Sequence, residues 1–247
     1  MKHLFLPILL LSFCLPETAA AVNLPTLSLG VKDAANPQEV STALQVLFVL
    51  TILSVAPAIL LMTTAFTRIV IVLGFVRQAM GTQNTPPNQI IIGLSLFLTF
   101  FIMSPVINQI NTTALQPYME EEINQQQALD KTVEAMRAFM FSQVREQELQ
   151  LLVDITKNEQ PENKKEVSTM ILIPAFMLSE LKLAFQMGFM IYVPFLVIDM
   201  IVASVLMSMG MMMLPPIIIA LPFKIIFFVL VDGWFLIVGS LVESFNT

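Results

Sequence analysis

The sequence predicts an all-α protein embedded in a membrane, made of kinked helical hairpins with an acidic amphipathic-helix insert between them. Hydrophobic residues make up 56% of the chain and charged residues only 12%, whereas soluble domains carry roughly a quarter charged residues. The charges are also segregated: residues 40–67 and 78–119 have none, and residues 183–223 have only Asp199. Uncharged stretches of that size reach the roughly 20 residues a helix needs to cross hydrocarbon. The apolar content excludes a disordered chain, and a net charge of -6 without a Lys/Arg cluster argues against a nucleic-acid partner.

At the N-terminus, Met1-Lys2-His3 precedes an apolar run from Leu4 to Leu15 and then Thr18-Ala19-Ala20-Ala21. That order of charged start, short apolar core and small residues is a secretory signal peptide, assigned to residues 1–21 with cleavage after Ala20 or Ala21. An uncleaved first membrane helix is the other reading, but the apolar run is short for a span. Leu11-Ser12-Phe13-Cys14 fits a lipoprotein box poorly because of the bulky Phe13. The chain's one cysteine, Cys14, and one histidine, His3, both fall in this segment. The mature protein would then lack disulfides, zinc sites built on His or Cys, cysteine nucleophiles and histidine-based triads. The eight glycines form no phosphate-binding spacing. No cofactor, no metal and no catalysis are expected.

Residues 22–43 form a polar N-terminal segment with Pro25, Asn36 and Pro37. Four apolar segments follow in two pairs, Leu44 to Phe66 with Gln89 to Ile107, and Ala184 to Leu206 with Ile217 to Leu241. They define a first apolar hairpin, residues 44–107, and a second, residues 184–247. Pro57, Pro105, Pro194 and Pro222 lie in or near them. Each removes a helix hydrogen bond and crowds the preceding turn, so kinks are expected there. The intervening insert, residues 108–183, has another character: residues 120–166 hold 11 of the 18 acids and 6 of the 12 bases. Leu129, Val133, Met136, Met140 and Val144 recur at helical spacing, predicting an amphipathic helix, and the polar stretch Asn158 to Glu166 around Pro161 reads as a loop. The helix is either a solvated spacer or a packing face for neighbouring subunits.

Charge asymmetry sets an orientation. The connection from Arg68 to Asn88 carries Arg68 and Arg77 without an acid, which places it on the cytoplasmic side, with the N-terminus, the acidic insert and the C-terminus outside.

Two constellations invite a functional reading. The connection between the last two apolar segments holds Met207, Met209, Met211, Met212 and Met213, with Gly210 and Pro215-Pro216 breaking the helix and forming a loop. Flexible thioether side chains could seal an opening yet yield to varied chains, or could simply fill a core between helices. The second constellation is ionic: Glu180, Lys182, Asp199, Lys224 and Asp232 lie in or beside apolar helices, where charge is costly unless paired or hydrated. Glu180 and Lys182, two apart, face away from one another on a helix and must each find another partner. Glu180 with Lys224, within a subunit or across to the next, is the preferred pair. The alternative is that Glu180 and Lys182 sit at the interface with water.

These residues also carry a resemblance. Ala56-Pro57-Ala58-Ile59-Leu60-Leu61-Met62, Phe66-Thr67-Arg68-Ile69 and Thr85-Pro86-Pro87-Asn88-Gln89 resemble the FliP family of flagellar export-gate proteins. So do Leu98 to Pro105, Pro194 to Asp199, the methionine loop and Phe228 to Trp234, in the family's order from Leu44 to the C-terminus. The resemblance implies a core subunit of the type III export gate in the bacterial inner membrane, within the flagellar basal body. Its implied partners are several copies of itself, FliQ, FliR, FlhB and FlhA, together with the unfolded flagellar proteins in transit. It further implies a helical pore complex raised toward the periplasm, so that the insert is periplasmic and the hairpins pack against other subunits rather than crossing as a conventional bundle. Met209, Met211, Met212 and Met213 would form the pore gasket, and Glu180 and Lys224 the family's Glu/Lys pair.

Two other readings remain: the related gate protein of a virulence injectisome, which shares the core motifs, and an ion-coupled small-solute transporter, suggested by Asp199, Lys224 and Asp232. The signal peptide favours the flagellar reading over the injectisome. A transporter would call for a solute cavity and internal repeats, which the sequence does not offer.

Overall fold

The computed structural model describes residues 37–82, 84–156, 163, 166–211 and 213–245, with side chains from residue 44 onward. The expected signal peptide (residues 1–21, with His3 and Cys14), most of the polar segment and of the 158–166 loop, and Met212 lie outside the described residues. Every regular element among the described residues is helical, so the expected all-α class is the observed one. The chain divides at Val49/Leu50 into two units. The described part of the first is the beginning of α1, Pro37–Met62, and its side chains from Leu44 to Val49 are nearly all exposed.

The second unit starts with the rest of α1. Pro57 sits inside that helix without ending it, and the apolar side chains from Leu50 to Met62 are almost all exposed. Helix α2, Phe66–Ala79, buries Ile69, Val72, Leu73, Val76 and Ala79 along one stripe at three- and four-residue spacing. It ends at Gly81, whose φ of 76° suits a residue without Cβ, and Arg77 donates to Asn88 Oδ1 across the next connection. The sequence reading treated Arg68 to Asn88 as a short cytoplasmic connection. Most of that stretch is a helix rather than a connection, at the centre of the core, because its apolar stripe packs along the helix Thr169–Ser208.

Helix α3, Asn88–Ile110, runs on through a π-helical turn, Asn111–Leu115, into the short α4, Gln116–Met119. Its inward stripe is Ile91, Ser95, Thr99 and Met103, four residues apart. Ser95 and Thr99 donate to the carbonyls of Ile91 and Ser95 at 2.7 Å, so their hydroxyls are satisfied within the helix. The opposite face shows Phe97, Phe100 and Phe101 almost entirely exposed.

The charged stretch at residues 120–166 forms two helices among its described residues rather than one. Helix α5, Gln125–Gln143, starts with a capping box between Asn124 and Gln127 and stops where Val144 turns extended. Helix α6, Glu146–Thr156, begins with Glu146 and Glu148 in its first turn, where the helix dipole favours acids. The amphipathic stripe is divided: Met140 is buried and Met136 packs on the core, while Leu129 and Val133 are exposed.

Helix α7, Thr169–Ser208, is 40 residues long with Pro174 and Pro194 inside it. At 1.5 Å per residue this is about 60 Å, roughly twice the hydrocarbon thickness. The expected boundary at 183/184 between insert and second hairpin therefore falls in mid-helix. Helix α7 packs against α2, α5 and α6 and, toward its C-terminal end, is flanked by α8, Pro216–Leu230. The last apolar segment is not one helix. It bends by 63° between α8 and α9, Gly233–Glu243. The expected kink at Pro222 is absorbed inside α8, and the break comes where Asp232 takes a left-handed φ of 50°. Gly233 follows because the Phe228 ring occupies the space a Cβ would need. Among the described residues, three helices are long and apolar enough to cross a membrane, four if the bent pair is one span.

Candidate functional site

The methionine loop joins α7 to α8. Helix α7 closes with Gly210 N–H donating to the Met207 carbonyl and Met211 N–H to that of Leu206, at 3.1 and 3.0 Å. This double closure needs a left-handed residue, and Gly210 supplies it with a φ of 74°. Pro215 precedes α8 and Pro216 opens it, where a missing N–H costs nothing. The loop so defined turns Met209, Met211 and Met213 outward. Met209 is 65% exposed, Met211 40% and Met213 99%, so within the chain they fill no core. Beside the loop, Ile198, Ile201, Val205, Ile219 and Phe223 line an open groove of about 510 Å³ whose walls are apolar.

The ionic residues resolve into three pairs, and the expected pairing of Glu180 with Lys224 is not among them. Glu180 is fully buried and is taken by Arg68, itself 1% exposed. Arg68 Nε donates to Glu180 Oε2 at 2.9 Å and Nη2 to Oε1 at 2.5 Å. The remaining donors reach the Ser244 carbonyl and hydroxyl at 2.9 and 3.0 Å and Gln143 Oε1 at 3.0 Å, while the Phe245 ring stacks 3.8 Å from the guanidinium carbon. Gln143 in turn donates to the Phe245 carbonyl. One planar fork thus ties α2, the end of α5, α7 and the C-terminal segment together, which a point-charge ammonium could not do.

Lys224 is taken by Asp199, Nζ donating to Oδ2 at 2.5 Å. Within one chain, distance along α7 keeps the expected partners apart: positions 180 and 199 are about 28 Å apart at 1.5 Å per residue, far beyond a lysine's reach. Asp199 Oδ1 is buried without a hydrogen-bond partner among the described residues. Lys182 pairs with Glu148 of α6 at 2.8 Å, with Arg145 3.8 Å from the other oxygen. That ammonium holds the Glu148 carboxyl below its ordinary range, against the opposing effect of burial. Glu180 and Lys182 do look in different directions, as the two-residue spacing demands. Asp232 joins no pair among the described contacts and instead marks the α8–α9 bend. Among the described residues no cluster of His, Cys, Asp or Glu could hold a metal.

Sequence reasoning missed Arg68, Gln143 and Ser244 as partners. The available signal was the spacing Ala65, Arg68, Val72, Val76, which sets one arginine on the buried stripe of an otherwise apolar helix. The charge-asymmetry argument instead places Arg68 in a cytoplasmic connection.

With the geometry in place, comparison with known proteins is direct. Residues 49–241 match the FliP family. A flagellar biosynthetic protein FliP of Bacillus subtilis (strain 168) is 54% identical over 217 residues, 88% of this chain and 98% of the relative. One from Buchnera aphidicola is 48% identical over 240 residues, 97% of this chain but 62% of that longer relative. One from Pectobacterium carotovorum is 49% identical over 208 residues, 84% of this chain and 81% of the relative. A match over that much of the chain, spanning α2, the long α7 and the methionine loop, means that the chain belongs to the FliP family.

Proposed function

We propose that this chain is a core pore-forming subunit of the flagellar type III protein export gate, passing unfolded flagellar proteins across the bacterial inner membrane. The names of its relatives support flagellar biosynthesis over an injectisome or a solute transporter. The observation that carries the pore is the loop of outward methionines held between two apolar helices. In this reading several copies of the chain assemble with FliQ, FliR, FlhB and FlhA. Met209, Met211, Met212 and Met213 from each copy converge into a gasket that deforms around a passing chain. The chain moves protein and catalyses nothing. Its exposed apolar helix faces, too extensive for a soluble monomer, are covered by neighbouring subunits and lipid. A helix about twice as long as the bilayer is thick favours a complex that extends out of the membrane toward the periplasm.

The test is to replace Met209, Met211, Met212 and Met213 with alanine. Sealing volume is lost but no buried charge, so the complex should assemble and the membrane should leak ions. Assembly is followed on native gels and leakage as conductance, with Met103→Leu in the core as a control. Normal assembly with unchanged conductance defeats the gasket.

A further inference from the structure

The loop methionines are set apart from the other methionines of the chain by their clustering around one helix end. Met80, Met103 and Met140 are buried in the two cores, and Met190 and Met200 lie exposed on the apolar second half of α7. Met207, Met209, Met211 and Met213 instead surround a helix end closed by Gly210, with Met213 wholly uncovered. A thioether is the most readily oxidised group this region offers, since the one cysteine lies far away in the sequence at Cys14. We infer that the methionine loop is a reversible oxidation site at which peroxide converts the thioethers to sulfoxides and loosens the closure the loop makes. The inference rests on the gasket reading above and adds its regulation.

The chemistry balances. The sulfur lone pair attacks the distal peroxide oxygen, an S–O bond forms as the O–O bond breaks, and the peroxide leaves as water after proton transfer. Sulfur is oxidised by two electrons and the peroxide is reduced by two. A thiol-dependent sulfoxide reductase reverses the step, returning the thioether and water while two thiols become a disulfide. The physical consequence is large because a flexible apolar side chain becomes polar and chiral. Sulfoxides in a ring of apolar groups draw water, and water carries ions.

The experiment treats the assembled complex in membranes with hydrogen peroxide and follows each methionine by peptide mass spectrometry beside conductance. The expected result is sulfoxide at Met209, Met211 and Met213 well before the buried Met80, Met103 or Met140, with a several-fold rise in conductance that methionine sulfoxide reductases reverse. A chain with Met207, Met209, Met211, Met212 and Met213 changed to leucine should show no such rise over its own baseline, although the exposed Met119 and Met170 still take up oxygen. Loop methionines oxidised no faster than buried ones would overturn the inference and leave the gasket standing. Selective oxidation without a conductance change, in a complex whose alanine variant does leak, would also overturn it. An alanine variant that does not leak would instead remove the gasket reading itself.

Discussion

Arg68→Ala is the perturbation that most directly tests how the fold is held. Glu180 is fully buried, and both its oxygens are bound by the Arg68 guanidinium. Removing the arginine leaves that carboxylate uncompensated, at a cost of about 3–5 kcal/mol. At about 1.4 kcal/mol per factor of ten, the folding equilibrium should fall by roughly two to four powers of ten. Arg68→Lys keeps the charge but offers at most three donors from one nitrogen where the guanidinium makes five contacts, so it should fall between wild type and Arg68→Ala. The double change Arg68→Met with Glu180→Leu removes both charges and leaves only Gln143 and Ser244 short of a partner, about 1–3 kcal/mol. It should therefore be more stable than Arg68→Ala alone. Two assays on the purified protein in detergent separate these cases. Denaturant unfolding is read from the single tryptophan, Trp234, which packs edge-on against Phe228. Carboxypeptidase release of Phe245 reports the C-terminal segment that Arg68 holds. Wild-type unfolding and wild-type protease resistance in Arg68→Ala would refute the argument, as would a double variant less stable than either single one.

Double-mutant cycles in the same unfolding assay should find substantial coupling between Asp199 and Lys224 but less than about 0.5 kcal/mol between Glu180 and Lys224, which are too far apart within one chain to interact; strong 180/224 coupling in the monomer would contradict the pairs described. Gly188→Ala pits about 1 kcal/mol of helix propensity against a Cβ overlapping the Phe75 ring near its root, and overpacking at about 1–3 kcal/mol should win. Phe75→Leu should relieve it, and a more stable Gly188→Ala protein would show that the ring yields freely. Because Lys182 depresses the Glu148 carboxyl, the stability it adds is complete above the ordinary carboxylate value of 4.5 and drains away as pH falls through the lower folded value. Hydrogen exchange in α6 should accordingly rise at acid pH in the native chain, and Glu148→Gln should flatten that dependence; an identical acid response in the variant would assign it elsewhere.

What the sequence determined by itself was composition and local pattern. The charge-free stretches fix helices of bilayer scale, Gly210 with Pro215-Pro216 fixes a break between α7 and α8, and residues 180 and 182 are bound to face apart. These follow from short-range rules in which each residue constrains only its near neighbours. The partners of the buried charges belong to another class, because Arg68 and Glu180 are 112 positions apart and meet only once α2 packs along α7. Lys224 and Glu180 looked equally able to pair on paper, and the length of α7 separated them. The same packing turned an expected short connection into the central helix α2 and moved the last kink from Pro222 to Asp232. Periodicity cannot say which helix lies along which, since that depends on close fits such as Phe75 over Gly188 and Phe228 over Gly233. The sequence therefore decided which segments are helical and apolar, and the tertiary structure decided which charges neutralise one another, because buried charge is settled by whichever partner the packing brings within hydrogen-bond reach.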